Sequence, residues 1–253
     1  MHLTEDEERE FQEITAKVAA LGARAEEDPD IKETIKMLLI RRASIMGAAG
    51  NKLPRLLEAL GELKVACGHE RRDLRDVLIY CAPGTHRKVL KAVAGSGLRC
   101  HEFVHTVGLS KREEVLGSFA RGDIQALVAI KCLDEGVDVP STRTAFFLAS
   151  TTNPREFVQR RGRILRLAEG KDKAVVFDFV VVPSEDTSRD VGKALLRREL
   201  PRFAEFSFAA SNEFKARSII RDILDRYEML NLLDERPWEM YHKLRGSSTG
   251  LTH

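Results

Sequence analysis

The stretch ALVAIKCLDEGVDVPSTRTAFFLAS, residues 126–150, decides the fold. Its two ends, ALVAI and AFFL, are short apolar runs uninterrupted by polar residues. Such runs suit strands buried on both faces, as in a parallel sheet covered by helices, whereas a strand with one wet face alternates. The Gly, Asp and Pro residues between them mark a loop. Working outward, further short runs follow in DVLIYCA (76–82), LRCHEFV (98–104) and AVVFDFVVV (174–182), the second broken by Arg99, His101 and Glu102 and the third by Asp178. Helical stretches separate these runs, over about 85–94, over 110–120 and after Asn153-Pro154. Ser110 with Glu113 reads as a capping box for the second. The order β-α-β-α-β-β-α-β predicts an α/β fold: an open parallel sheet with helices on both faces and functional loops at the strands' carboxyl ends.

The flanks are helical. Leu3, Phe11, Ile14, Val18 and Leu21 recur near a 3.6 period, and Thr4 with Glu7 forms another capping-box pattern. Asp28-Pro29-Asp30 breaks that run before IKETIKMLLIRRASIMG (31–47), and Asn51-Lys52-Leu53-Pro54 starts a third helix. Beyond the sheet, SRDVGKALLRREL (188–200) and the long run 205–233 return to helix. The expected organisation is a helical lead-in over 1–73, a sheet domain over 74–183, a helical extension over 184–244 and a tail over 245–253.

Composition excludes several classes. Charged residues at 32% and hydrophobic ones at 43% fit a globular chain, and no apolar run nears the roughly 20 residues of a membrane span. The acidic start MHLTEDEERE is no secretory signal, which points to the cytoplasm. Cys67 with His69, and Cys100 with His101 and His105, lack a second pair at zinc-ligand spacing, so neither a metal nor disulfides are expected. A net charge of +2 does not announce nucleic-acid binding, but residues 155–166 hold five arginines and one glutamate.

Within that basic run lies Gln159-Arg160-Arg161-Gly162-Arg163-Ile164-Leu165-Arg166. If the helix persists, Arg155, Gln159, Arg163 and Arg166 line one face, and Phe157, Val158, Ile164 and Leu165 the other. Gly162 ends the helix in the alternative. Either way several guanidinium groups converge, and a guanidinium suits phosphoryl charge because it is always ionised and donates in a fork. The eight residues alone would equally fit an ordinary solvated basic helix.

The wider context resembles the C-terminal RecA-like lobe of superfamily 2 helicases and translocases. QRRGRILR is similar to their motif VI, Q-x-x-G-R-x-x-R. ALVAIKCLDEGVDVPSTRTAFFLAS is similar to motif V, with Gly136 and Asp138 at its G-x-D, and DVLIYCAPGTH to motif IV. The likeness is close over about 74–182. RRASIMGAAGNKLPRLLEALGEL (41–63) resembles the lead-in of DNA-directed members, including helicase-like subunits of restriction and phage-defence systems. The resemblance implies a RecA-like sheet, with Gln159, Arg163 and Arg166 acting on ATP and Gly136 and Asp138 at the nucleotide. It further implies nucleic acid, DNA favoured, as a partner. One position departs: Ile130 stands where many members have Thr, so the backbone contact is assigned to Lys131, with Thr85 and His86 as further nucleic-acid candidates. Turn chemistry at Pro83-Gly84 is the competing account of those two.

A G-x-x-x-x-G-K-[ST] loop is absent: Gly192-Lys193 precedes Ala194, and Gly170-Lys171 precedes Asp172. Asp134-Glu135 is explained by motif V rather than as a Mg²⁺ motif. ATP with Mg²⁺ would therefore be bound mainly by a first RecA-like lobe, in another chain or a longer parent protein, and the chain alone should be inactive. The alternative is a non-catalytic nucleic-acid-binding or adaptor module with the same fold. A dinucleotide-binding enzyme fails for want of G-x-G-x-x-G after a strand. Asp178 reads as a strand-end polar group and Trp238 as a packing residue.

Overall fold

A computed structural model describes residues 1–22, 24, 28–66, 74–104, 108–130, 142–149, 154–164, 171, 173–234 and 239. Its contacts divide the chain into two units, one from the described residues of 1–49, 152–154 and 180–253, the other from those of 50–151 and 155–179.

The second unit holds the sheet. Five parallel strands, β1 (Val77–Tyr80), β2 (Cys100–Phe103), β3 (Ala126–Ala129), β4 (Thr144–Phe147) and β5 (Val175–Asp178), lie in the order β2-β3-β1-β4-β5. The three inner strands are buried at every position, while β2 and β5 are partly open, as edge strands must be. The helices are α3 (Lys52–Ala66), α4 (His86–Gly95), α5 (Leu109–Arg121) and α6 (Pro154–Ile164). The strand order moves one way from β1 to β2 and the other way from β2 onward, so crossovers of the usual right hand put α4 on one face and α5 and α6 on the other. The RecA-like α/β architecture read from the sequence is thus the observed one. One detail differs: α5 starts two residues earlier than a capping box at Ser110 implies, with Gly108 as N-cap and no side-chain cap bond. The left-handed Gly122 ends it, as expected of a C-cap glycine.

The first unit is helical: α1 (Glu5–Gly22), α2 (Pro29–Ala48), α7 (Arg189–Phe208), α8 (Glu213–Arg226) and a 3₁₀ turn over Leu230–Leu233. The Thr4–Glu7 box forms, with Thr4 N donating to Glu7 Oε2 at 2.9 Å. Asp28 caps α2 by accepting from the amides of Asp30 and Ile31. Phe11, Ile14, Ile45, Met46, Val191 and Leu195 share one core; Leu196, Leu200, Ala204, Ile220 and Leu224 share a second. The runs 188–200 and 205–233 read as separate helices, but α7 is continuous through Pro201 to Phe208, and the second run breaks over 209–212 before α8. Leu200 and Ala204 continue the buried stripe across the proline, and that burial offsets the roughly 3 kcal/mol an interior proline costs. Among the described residues no helix is long and apolar enough to cross a membrane.

Candidate functional site

The helix α6 begins with Pro154 in its first turn, where a missing N–H costs nothing, and it continues unbroken through Gly162. Phe157, Arg160 and Ile164, three and four residues apart, are 0%, 3% and 1% exposed and form its inner face. The Arg160 guanidinium donates to Glu156 Oε2 at 3.3 Å and lies 5.8 Å from the Tyr80 ring centroid. Tyr80 in turn stacks on Phe147, centroids 4.7 Å apart. An arginine desolvated against an aromatic face gains about 2 kcal/mol. That inner face fixes the outer one, where Gln159 is exposed and Arg163 half-buried. Among the described residues, nothing beyond α6's own backbone lies within 4 Å of where a Gly162 Cβ would stand.

The helix ends in a cluster of charge. Lys171, buried, donates through Nζ to the carbonyl of Ile164, the last residue of α6. Burial, and then the Arg143 guanidinium, push the Lys171 ammonium down from its ordinary value, and the Asp76 carboxylate opposes them. Asp76 itself lies 3.3 Å from Arg143 Nε and 3.8 Å from Arg75 Nε. At the other end of the connection, buried Lys52 donates to the carbonyl of Leu148, 2.5 Å away, just past β4.

Tyr80, Ala129 and Phe147 are register partners, so the tips of β1, β3 and β4 meet at one edge. Ile130 follows β3 directly, and Thr85 and His86 follow β1 after the turn over 81–84. The Thr85 hydroxyl donates to Ala82 O at 2.8 Å, closing the turn in which Gly84 takes φ +83°. His86 Nε2 lies 3.6 Å from Glu102 Oε2 on β2, an ion pair when the ring is protonated. From the same edge α6 must run back towards the start of β5, about 16 Å for its 11 residues. Arg163 therefore stands near the far end of α6, apart from Thr85 and His86. Of the other candidates, Lys131, Gly136, Asp138 and Arg166 lie outside the described residues, as do Cys67, His69, His105 and Trp238. Asp178 closes β5, half-buried. Arg160 went unnoticed as a contributor, although its spacing from Phe157 and Ile164 signals an inward position. Lys171 drew notice only as a false phosphate loop, and no sequence signal marks Lys52.

Residues 53–168 match the family described as helicase conserved C-terminal domain. Over 77 residues the chain is 40% identical to the DNA 3'-5' translocase XPB2 of Sulfurisphaera tokodaii, a match covering 30% of this chain and 17% of that protein. Over 72 residues it is 28% identical to putative helicase 22 of a Sulfolobus islandicus filamentous virus, covering 28% of this chain and 13% of that one. These matches thus span less than a fifth of either relative. Among solved structures, the Pyrococcus furiosus Hef helicase domain aligns at a TM-score of 0.41 and 21% identity, covering 70% of this chain and 36% of that one. The C-terminal part of the Fun30 ATPase domain aligns at 0.45 and 15%, covering 72% and 55%.

Proposed function

Since residues 53–168 are a superfamily 2 helicase conserved C-terminal domain, we propose that this chain is the second motor lobe of an ATP-dependent helicase or translocase. In this reading it acts on nucleic acid, DNA by preference, and lends α6 to an ATP site completed by a first RecA-like lobe. That lobe belongs to another chain or to a longer parent protein.

One observation carries the reading: α6 buries Phe157, Arg160 and Ile164 and thereby holds Gln159 and Arg163 on a fixed outer face. Its donor chemistry fits the polyphosphate of ATP, because forked, permanently charged guanidinium groups match phosphoryl oxygens. Gln159, Arg163 and Arg166 are the residues assigned to the phosphates, Gly136 and Asp138 to the nucleotide side of the loop after β3. Mg²⁺ belongs with the first lobe. A guanidinium that meets charge developing on the transferring phosphoryl group stabilises the transition state more than the ground state, which raises turnover. Lys131, Thr85 and His86, beyond the strand tips, are assigned to the nucleic-acid backbone. A phosphate there competes with Glu102 for protonated His86 and with Ala82 O for the Thr85 hydroxyl.

Phosphate release measured with ATP, Mg²⁺ and DNA tests this. The chain alone should give none, and joining it to a first lobe should switch turnover on. Turnover of a few per second by the chain alone, or a joined motor indifferent to Arg163→Ala, refutes the half-site.

A further inference from the structure

α6 has little apolar surface with which to hold itself. Among its described side chains only Phe157 and Ile164 are fully buried hydrophobics, and an 11-residue helix is marginal without tertiary anchoring. Its anchoring is supplied by buried cations. Lys52 is 4% exposed and Lys171 7%, yet burying an ammonium is unfavourable unless good acceptors receive it. Both groups donate to main-chain carbonyls, and the two carbonyls bracket one segment. Leu148 lies one residue beyond β4, and Ile164 is the last residue of α6. Ile164 O is among the terminal carbonyls that a helix cannot satisfy internally, and a cation there also complements the helix dipole.

We propose that Lys52 and Lys171 are positioning residues, an ammonium clamp on the two ends of the β4–α6 connection that sets where Arg163 is presented. The proposal deepens the half-site reading and rests on it for its catalytic consequence. Arg160 pins the middle of the same connection on Tyr80, so the segment is held at its start, centre and end. Asp76 supports the far end: its carboxylate attracts the Lys171 ammonium, which Arg143 repels. The clamp acts through backbone, so neither lysine needs to touch nucleotide. A carbonyl accepts from any donor of the right reach, so arginine should substitute in part and methionine should not.

Amide hydrogen exchange on the full chain reads the clamp without any partner. Lys171→Met should speed exchange over 160–164 by about tenfold or more, as losing a hydrogen bond to a charged group implies, while β1 and β3 amides keep their wild-type rates. Lys52→Met should act likewise on the amides of 158–160, the first that α6 bonds internally, and Lys171→Arg should restore most protection. Should a methionine variant fail to fold, the glutamine variant, shorter and uncharged, gives the same reading. In a motor joined to its first lobe, Lys171→Met should lower kcat about tenfold with KM for ATP little changed, since what is lost is transition-state positioning. Unchanged exchange over α6, or an equal rise across β1 and β3, overturns the clamp. So does loosened α6 with normal turnover in a motor that Arg163→Ala disables. If α6 loosens as stated but neither Arg163→Ala nor Lys171→Met affects turnover, the clamp stands and the half-site falls.

Discussion

The sheet unit and the helical unit both bury charge, and they use it differently. In the sheet unit the buried cations Lys52, Arg160 and Lys171 gather where α6 is attached, binding carbonyls, a carboxylate and an aromatic face. In the helical unit charge, buried or half-buried, joins neighbouring segments to one another. Glu199 meets Arg202 at 2.7 Å and accepts from the amide of Val181, and Glu8 on α1 accepts from the hydroxyls of Ser184 and Thr187. Met1 and Val180 to Val182 pair through backbone beside it. Charge in the sheet unit presents a helix; charge in the helical unit ties the segment around 180–187 to α1 and α7. The distinction has consequences, because a presented helix should affect rate and such a tie should affect stability.

The largest effect is expected where presentation meets chemistry. In a motor joined to its first lobe, Arg163→Ala should cut ATP turnover by about 10³-fold or more, with DNA affinity and unfolding midpoint nearly unchanged. Arg163→Lys should rescue poorly, since an ammonium cannot reproduce the fork. Full turnover in Arg163→Ala would make both units scaffolds and erase the contrast.

In the helical unit, Arg202→Met should destabilise by about 1.5–3 kcal/mol, because it removes a charged hydrogen-bond partner of buried Glu199, which keeps the Val181 amide and the nearby Arg198. Urea unfolding followed by circular dichroism reads this, and the folded fraction should bind DNA as the wild type does. A loss below 1 kcal/mol would show that the pair ties nothing. Gly192→Ala should cost less, about 1–3 kcal/mol by the same measurement. A Cβ there would stand 2.1 Å from Cε1 of Tyr227, whose hydroxyl donates to Thr187 O at 3.2 Å. A neutral result would mean that the ring shifts freely, against its place in the α7–α8 core.

The same contrast governs what could be read in the sequence. Uninterrupted apolar runs identify the inner strands, since only residues buried on both faces need no alternation, and Phe157 with Ile164 fixes the inner face of α6. The helices of the other unit were visible as helices, but an amphipathic stripe names a face and not its partner. Nothing in Leu3 or Phe11 says that Val191 and Leu195 cover them. The continuity of α7 from 200 to 205 was not legible either, because the burial of Leu200 and Ala204 that carries the helix through Pro201 depends on α8. Lys52 escaped notice for a related reason: its acceptor, Leu148 O, is 96 residues away and belongs to backbone, which carries no side-chain signature.

The smallest effect concerns Asp76, where the sheet unit's charge is least well matched. Residue 76 takes φ +62°, a left-handed conformation that Asp and Asn tolerate better than other side chains. Its carbonyl accepts from the amides of Arg143 and Thr144, so the backbone there is needed to align β1 with β4. Burial raises the Asp76 carboxyl above its ordinary value, and the pull of Arg75, Arg143 and Lys171 the other way does not cancel it. The unfolded chain therefore releases this proton at lower pH than the native one. Between those two values the native state binds more protons, so stability falls as pH rises through the window. Below it the contribution is fully present, and above it lost. Asp76→Asn keeps the left-handed backbone and removes the titration, so its unfolding free energy should be flatter than wild type from the ordinary carboxylate range upward. The measurement is denaturant unfolding of both proteins at half-unit pH steps under constant ionic strength. A wild-type curve that rises more steeply than the variant's through this window would mean that the three cations outweigh burial. Asp76 would then be a matched ion pair like Glu199 with Arg202, and the two units would use buried charge alike at that position.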